Sequence, residues 1–109
     1  MRVDVPEIDV EELATLRQQG ALVFDVREPD EYHDAHVPGA VPIPLGAVPD
    51  EVGRFPIGEP VYMICAVGGR SRKASEFLRA HGVDAVNVAG GTRAWLAAGH
   101  AFATGPDAG

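Results

Sequence analysis

The chain has 109 residues, of which 46% are hydrophobic and 23% charged, and it carries a formal net charge of -7 at pH 7. This length allows one core, so we expect a single domain over residues 1–109. The acidic balance argues against nucleic-acid binding, which needs a basic face, and no apolar stretch is long enough to span a bilayer.

The cysteine content and the N-terminal sequence predict the compartment. The single cysteine, Cys65, excludes an internal disulfide, so nothing in the chain requires an oxidising environment. Residues 1–4 are followed by Pro6 and acidic residues rather than by an apolar run, which predicts that no signal peptide is present. We therefore expect a cytoplasmic location.

The first elements in the chain are predicted to be a short strand, a helix and a buried strand. Ile8 is expected to end an edge strand, and Asp9 with Glu12 three residues later is typical of a capping box that opens a helix. Gly20 is expected to stop this helix. The continuous apolar run 21–24 indicates a strand covered on both faces, as in a parallel sheet.

Two charged residues follow the run 21–24 abruptly. Asp25 and Arg27 come at the carboxyl end of the predicted strand, which is where ligands bind in an open α/β sheet. We expect Asp25 to accept hydrogen bonds from loop amides and so to fix the loop, and we favour this supporting role over direct chemistry.

The stretch after this strand has room for one or two helical turns. Pro29 suits the first turn of a helix within 29–35, with Tyr32 pointing inward. His33 and His36 are three residues apart and could share a helical face. No further cysteine or histidine lies near them in the sequence, which disfavours a metal site.

The middle of the chain is predicted to contain a turn, an edge strand and an irregular segment. Residues 37–40 indicate a turn, and the prolines in 41–44 restrict a short strand there to the edge of the sheet. Residues 45–55 are expected to be irregular or weakly helical. The apolar run 61–64, preceded by Pro60, predicts a buried strand.

The loop that follows this strand reads Cys-Ala-Val-Gly-Gly-Arg from Cys65 to Arg70 and leads into a predicted helix. Gly68 and Gly69 allow a tight turn whose N–H groups point inward. These amides, the positive end of the helix dipole and Arg70 would together form a small anion-binding loop.

Two interpretations of Cys65 follow from its position. A cysteine at a helix N-terminus beside a guanidinium has a lowered pKa, and its thiolate is a nucleophile at neutral pH. A lone cysteine is also often a small buried hydrophobe. The residue types alone leave both interpretations open.

Basic residues are concentrated beside this cysteine. Arg70, Arg72 and Lys73 create a local positive site on an acidic protein, which suits a small anionic substrate better than a nucleic acid. For Arg72 and Lys73 a solvated helix start is an equally good explanation.

The last third of the chain is predicted to alternate helix, strand and helix before a tail. Gly82 is expected to cap the preceding helix, residues 85–88 to form a strand, and residues 92–98 to form a short helix. Trp95 is predicted to be a packing anchor, and residues 101–109 a frayed, flexible tail. The alternation of strands and helices predicts an α/β fold with a mostly parallel sheet and helices on both faces.

Four sequence motifs, taken in order, resemble the rhodanese family. They are Asp25-Val26-Arg27-Glu28, Glu31-Tyr32 with His36-Val37-Pro38-Gly39-Ala40, Cys65 to Ser71, and Gly90-Gly91 ahead of Trp95. The resemblance covers nearly the whole chain. It implies a three-layer rhodanese-like fold with a five-stranded, mostly parallel sheet in strand order 3-2-4-5-1, and with the strand before Cys65 at its centre.

The resemblance also implies sulfurtransferase activity. In this family a cysteine thiolate takes a sulfane sulfur from an anionic donor such as thiosulfate, carries it as a persulfide, and passes it to cyanide or a thiol. This covalent chemistry needs no metal and no organic cofactor. The resemblance names no protein partner and no specific donor.

Matched by position, the resemblance implies roles for individual residues. Cys65 carries the persulfide, Arg70 binds the anionic donor, and Asp25 and Arg27 support the pocket. The amides around the sulfur belong to the loop residues Ala66, Val67, Gly68, Gly69, Arg70 and Ser71.

Two rival functions are to be distinguished from sulfur transfer. Cysteine phosphatases have a longer segment between cysteine and arginine than the four residues 66–69, and usually a histidine where this chain has Ile64. We therefore expect the ring of amides to be too small for a phosphoryl group. The second alternative is a non-catalytic or partner-dependent rhodanese-like module, although such modules often lack the cysteine.

Overall fold

A computed structural model describes residues 4–109; residues 1–3, which the signal-peptide prediction used, lie outside this range. The centre of the described part is a sheet of five strands: β1 (Glu7–Ile8), β2 (Leu22–Asp25), β3 (Val41–Pro42), β4 (Val61–Ile64) and β5 (Ala85–Val88). The order across the sheet is β1-β5-β4-β2-β3, and every neighbouring pair is parallel. This confirms the predicted order 3-2-4-5-1, read from the other edge, with β4 at the centre.

Helices cover both faces of the sheet, as predicted. They are α1 (Val10–Gln18), α2 (Pro29–Asp34), α3 (Gly69–Ala80) and α4 (Gly91–Ala97), with a 3-10 segment at Leu45–Arg54. One core lies between α3, the 3-10 segment and Phe24 and Met63 of the sheet. The other contains Val23 and Tyr62 of the sheet and the predicted anchor Trp95. Within residues 4–109 no helix has the length and apolar character needed to cross a membrane.

The central strand β4 is apolar along its whole length, and all four of its residues are buried. It pairs with β2 on one side and β5 on the other, and cores lie above and below it. Water reaches neither face, which explains why polar residues do not alternate with apolar ones. Asp25 of β2 pairs in register with Ile64 of β4, so Cys65 leaves the sheet one residue beyond this pair.

The N-terminal elements begin and end close to their predicted boundaries. β1 ends at Ile8, and Asp9 caps α1 by accepting a hydrogen bond from the Glu12 N–H at 2.9 Å. This bond satisfies one of the amides that a helix N-terminus leaves unpaired. Gly20 follows the helix with a φ of 90°, a conformation that glycine adopts readily.

The middle of the chain also matches the predicted pattern. Tyr32 points inward from α2, is 1% exposed, and donates its hydroxyl proton to the Ala40 carbonyl. β3, which contains Pro42, lies at the edge of the sheet as predicted. The segment 45–54 is 3-10 rather than α-helical and contains Pro49, which cannot donate a backbone hydrogen bond.

The two histidines of the middle region have different environments. His33 is exposed on α2, whereas His36 lies beyond the end of the helix and is fully buried. The His36 ring stacks on Tyr32 with 3.6 Å between ring centroids, and its Nδ1 is 2.7 Å from the Tyr32 carbonyl oxygen. The suggested arrangement on one helical face is therefore not observed.

The C-terminal segment differs from the expected frayed tail. Within 101–109, Ala103 forms an antiparallel bridge with His36, and the Gly39 N–H donates to the Ala108 carbonyl at 2.7 Å. The segment is thus fastened to the loop between α2 and β3. Its hydrogen bonds are made by backbone groups, which is why the side chains of the segment gave no sign of them.

Candidate active site

The candidate site is the loop between the carboxyl end of β4 and the N-terminus of α3. Cys65 follows the last residue of β4, and α3 begins at Gly69 after its N-cap, Gly68. Gly68 has a φ of 113°, which a residue with a Cβ rarely adopts, so the turn depends on glycine. The first bond of the helix runs from the Arg72 N–H to the Gly68 carbonyl at 3.1 Å.

The sulfur of Cys65 receives hydrogen bonds from this loop. The Gly68 N–H lies 3.1 Å from Sγ, and the Ser71 hydroxyl oxygen lies 3.3 Å from it. Cys65 is only 1% exposed, and this burial by itself raises the pKa of the thiol. Hydrogen bonds from the Ser71 hydroxyl and from the N–H groups of Ser71, Gly68 and Val67 outweigh burial, so the net pKa of Cys65 is lowered.

The N-terminus of α4 holds the other side of the loop. The Thr92 N–H donates to the Cys65 carbonyl at 2.8 Å, and the Arg93 N–H donates to the Ala66 carbonyl at 3.0 Å. A Cβ on Gly91 would lie 2.5 Å from the Cys65 carbonyl oxygen, so only glycine allows this approach. The two loop carbonyls are therefore bound to α4. The sequence indicated the glycine pair as a turn but not this contact.

A polar network that is buried at Ser71 and Asn87 connects the site to the edge strand β1. The Ser71 hydroxyl oxygen lies 2.6 Å from Asn87 Oδ1, and Asn87 Nδ2 donates to Glu7 Oε2 at 2.8 Å. Asn87 is 1% exposed on β5. Neither Asn87 nor Glu7 was among the predicted site residues. The available signal was a single polar residue inside the otherwise apolar run 85–88.

The predicted supporting residues Asp25 and Arg27 form a buried ion pair. Arg27 donates from Nε and Nη2 to the Asp25 carboxylate, with a shortest distance of 2.8 Å. Asp25 also accepts from the Arg27 N–H at 3.0 Å, and the guanidinium donates to the Ala35 carbonyl at 2.7 Å. These bonds connect the end of β2 to the end of α2, which lets the pair fix the backbone between them.

Arg70, the predicted donor-binding residue, is engaged with a carboxylate. Its Nη1 and Nη2 atoms donate to the two Glu31 carboxylate oxygens at 2.7 and 2.9 Å, which makes a bidentate pair. The hydrogen bond from Arg70 lowers the pKa of Glu31 to about 2, and the Glu31 partner raises the pKa of Arg70. Glu31 was noted only as part of a family motif, and its contact across 39 residues of sequence was not predicted.

The remaining predicted loop residues occupy different positions around the sulfur. The Val67 side chain is 56% exposed, whereas its N–H contributes to lowering the pKa of Cys65. Ala66 is bound through its carbonyl to α4, and Gly69 is the first residue of α3. The structure therefore brings Gly68, Ser71 and the Val67 amide to the thiol.

The two further basic residues near the loop point to other partners. Arg72 lies 3.5 Å from Glu7 and 3.7 Å from Glu76, and Lys73 is exposed on α3. This arrangement agrees with the solvated helix start considered as the alternative for both residues. The Cys65 charge is one of the smaller influences that raise the pKa of Arg70, after the hydrogen bond from Arg70 to Glu31.

This arrangement can support a thiolate and a sulfur anion attached to it. Amide and hydroxyl donors converge on one sulfur at the N-terminus of a twelve-residue helix, whose dipole favours negative charge there. A thiolate held in this way is a nucleophile for covalent catalysis.

Comparison with known proteins gives the same family at several levels. A model of the rhodanese-like domain matches residues 9–98. The chain is 30% identical over 89 residues to thiosulfate sulfurtransferase GlpE of Pseudomonas syringae pv. syringae, covering 81% of this chain and 84% of that protein. It is 36% identical over 94 residues to YrkF of Bacillus subtilis, which is named as a candidate sulfur carrier, covering 84% of this chain and 51% of YrkF. The chain thus spans about half the length of YrkF.

The fold gives the same result. The crystal structure of a rhodanese-like domain protein from Staphylococcus aureus superposes with a TM-score of 0.84 at 35% identity, covering 92% of this chain and 98% of that one. The match to the domain model includes β2, the Cys65 loop, α3 and the whole of α4. The chain belongs to the rhodanese-like domain family.

Proposed function

We propose that the protein is a sulfurtransferase that moves a sulfane sulfur from an anionic donor such as thiosulfate to cyanide or a thiol through a persulfide on Cys65. The observation that carries this proposal is the Cys65 sulfur, which faces the Gly68 N–H and the Ser71 hydroxyl at the start of α3. These donors favour the ionised form that attacks a sulfane sulfur.

The proposed reaction has two steps with balanced electrons. The Cys65 thiolate attacks the outer sulfur of thiosulfate, a sulfur–sulfur bond forms, and sulfite leaves with the electron pair of the bond that breaks. Cyanide then attacks the outer sulfur of the persulfide, thiocyanate leaves, and the thiolate is regenerated. The same loop donors would bind the persulfide anion, and no metal or organic cofactor takes part.

Arg70 is proposed to bind the donor anion, and its ion pair with Glu31 bears on this role. The guanidinium has five N–H donors, of which Glu31 occupies two, so others remain for a second anion. The side chains of Arg70 and Glu31 are 38% and 32% exposed, which lets a donor reach them. A donor anion would therefore share Arg70 with Glu31 or displace it.

A second candidate is a sulfur carrier that receives its sulfur from a partner protein. Two observations favour it: Cys65 is only 1% exposed, and Arg70 is already paired with Glu31. A protein donor could rearrange the loop on docking, which a small anion would do less effectively. The similarity to YrkF is consistent with this alternative, in which sulfur transfer to cyanide is slow.

Phosphatase activity is the least favoured alternative. Four residues separate Cys65 from Arg70. A phosphoryl group needs a longer segment between cysteine and arginine, whose amides form a larger ring.

We further propose that the protein works in the cytoplasm or another reducing compartment. Its single cysteine is free, and the proposed chemistry requires a thiolate that has not been oxidised.

Turnover of thiosulfate and cyanide to thiocyanate tests the proposed function. We expect activity in the natural chain and none in Cys65→Ser, because the serine hydroxyl is not ionised at neutral pH. Unchanged activity in the serine variant would remove Cys65 as the nucleophile. Hydrolysis of an aryl phosphate that disappears in the same variant would instead favour a phosphatase.

A further inference from the structure

The Ser71 hydroxyl has one proton but more than one acceptor within reach. Its oxygen lies 2.6 Å from Asn87 Oδ1, 3.3 Å from Cys65 Sγ and 3.3 Å from the Gly68 carbonyl oxygen. All four groups are buried, so no bulk water supplies a second proton donor. Only one of these acceptors can receive the Ser71 proton at a time.

The orientation of the Asn87 amide shows which acceptor is favoured. Asn87 Nδ2 faces two acceptors, Glu7 Oε2 at 2.8 Å and the Gly68 carbonyl oxygen at 3.2 Å. A flipped amide would turn its oxygen toward both of these oxygens and lose both bonds. Oδ1 therefore faces Ser71 at 2.6 Å, and because this oxygen can only accept, it is satisfied only while Ser71 turns its proton toward it and away from the sulfur.

The sulfur and Asn87 consequently compete for this proton. When Cys65 is a thiol, its own S–H can donate to the Ser71 oxygen while Ser71 donates to Asn87. When Cys65 is a thiolate, Ser71 can turn its proton toward the sulfur, but Asn87 Oδ1 is then left unpaired in a buried site, which is unfavourable. The alternative is that the proton stays on Asn87 and the thiolate faces an oxygen lone pair.

We propose that Asn87 is a positioning residue that restrains formation of the Cys65 thiolate by holding the Ser71 proton, with Glu7 fixing the orientation of the Asn87 amide. The inference concerns the residue that the proposed function makes the nucleophile. The proposal concerns only the ionisation of the Cys65 thiol, so it can be tested without a sulfur donor.

The test is the pH dependence of Cys65 alkylation by iodoacetamide in the full chain. We compare the natural protein with Asn87→Val, Ser71→Ala and the double variant. Valine has a shape similar to asparagine and suits a buried strand, but offers no acceptor. Asn87→Ala serves as a second truncation, so that the result does not depend on one variant folding well, and circular dichroism checks each fold.

The expected results have opposite signs. Asn87→Val frees the Ser71 proton for the sulfur, so the alkylation midpoint should move to lower pH and the rate below it should rise about tenfold. Ser71→Ala should move the midpoint to higher pH. The double variant should match Ser71→Ala, because Asn87 acts only through the Ser71 hydroxyl. Ser75→Ala, a buried serine one turn later that bonds the Ser71 carbonyl, is the matched control and should leave the midpoint unchanged.

The charged groups around this cluster are the same in all variants. They are Glu7 on β1, the pair formed by Asp25 at the end of β2 and Arg27, Glu31 on α2, Arg70 and Arg72 on α3, and Arg93 on α4. Their effects on the midpoint therefore cancel in the comparison. The proposal would be overturned if Asn87→Val lowered the alkylation midpoint equally when Ser71 is alanine. It would also be overturned if Asn87→Val raised the midpoint or left it unchanged. Loss of sulfur transfer with the expected alkylation pattern would count against the proposed function alone.

Discussion

Two arginine–carboxylate pairs lie near the carboxyl edge of the sheet, and they differ in their access to water. In the pair formed by Asp25 and Arg27 the side chains are 0% and 7% exposed, and Arg27 also bonds the Ala35 carbonyl. In the pair formed by Glu31 and Arg70 the side chains are 32% and 38% exposed. The Asp25–Arg27 pair is therefore buried within the loop whose backbone it holds, whereas the Glu31–Arg70 pair is partly exposed to solvent beside the Cys65 loop.

The difference in exposure to solvent determines which arginine can take part in binding. A buried pair that loses one partner leaves an uncompensated charge away from water, so its members are not free to exchange partners. An exposed pair contributes little to stability, because water solvates either partner when the pair opens. Arg27 is therefore suited to holding structure, and Arg70 to meeting a donor anion.

Removal of Arg27 should have the largest effect on stability. Arg27→Met leaves the Asp25 carboxylate buried without its partner, so the free energy of unfolding should fall by about 3–5 kcal/mol. Urea denaturation measures this change. Arg54→Met is the control, since its pair with Glu51 is exposed, and it should change stability by less than ~1 kcal/mol. If Arg27→Met changes the free energy of unfolding as little as the control does, the Asp25–Arg27 pair is no more important for stability than an exposed pair.

Removal of Arg70 should affect the donor rather than the fold. Arg70→Ala should raise the KM for thiosulfate by about tenfold or more while the free energy of unfolding changes by less than ~1 kcal/mol. Arg70→Lys should restore only part of the loss, because an ammonium cannot present the planar fork.

Steady-state kinetics at varied thiosulfate concentration measure these values. Arg79→Ala is the matched control, since Arg79 lies at the other end of α3 and pairs with Asp84 at 3.0 Å. A thiosulfate KM that is the same in Arg70→Ala as in the Arg79 control would mean that Arg70 does not bind the donor.

Neutralising Glu31 should have the smallest effect, in the opposite direction. Glu31→Gln removes the carboxylate that competes with the donor for Arg70, so the KM for thiosulfate should fall by a few-fold. A rise in KM would indicate that Glu31 positions Arg70 for the donor instead of competing with it.

The acid titration of Glu31 gives a second measurement on the same pair. The folded pKa of about 2 lies below the ordinary value of 4.5, so the stabilisation from this carboxylate is fully present above about pH 4.5 and is lost as the pH falls toward 2. The stabilities of the natural chain and Glu31→Gln should therefore differ by a constant amount at neutral pH and converge in acid. A carboxyl signal that titrates near 4.5 by NMR would contradict the pairing.

Much of the fold follows from local sequence patterns. The apolar runs 21–24 and 61–64 have no polar alternation, which predicted two buried parallel strands at nearly their observed positions. Capping residues and glycines marked the ends of helices. The strand order came with the family resemblance instead, because periodicity along one segment does not encode which segment lies beside it.

The site was predictable only where its residues are contiguous. Cys65, Gly68 and Ser71 lie within one turn, and the loop pattern placed them together. The contacts of Arg70 with Glu31 and of Ser71 with Asn87 join residues 39 and 16 positions apart and depend on how α2 and β5 sit beside α3. The charge of Arg70 suggested that it was available to a donor. The sequence of the loop gave no sign that Glu31, which lies far away in the chain, is paired with it.

The most direct test of the account is the mass of the protein after exposure to a sulfur donor. The full chain is incubated with thiosulfate, freed of excess reagent, and measured intact and after digestion. We expect the addition of one sulfur atom at Cys65, its removal by cyanide, and no addition to Cys65→Ser. Loading by a low-molecular-weight persulfide but not by thiosulfate would favour the sulfur-carrier alternative. Failure of both donors to add sulfur to Cys65 would contradict the proposed function.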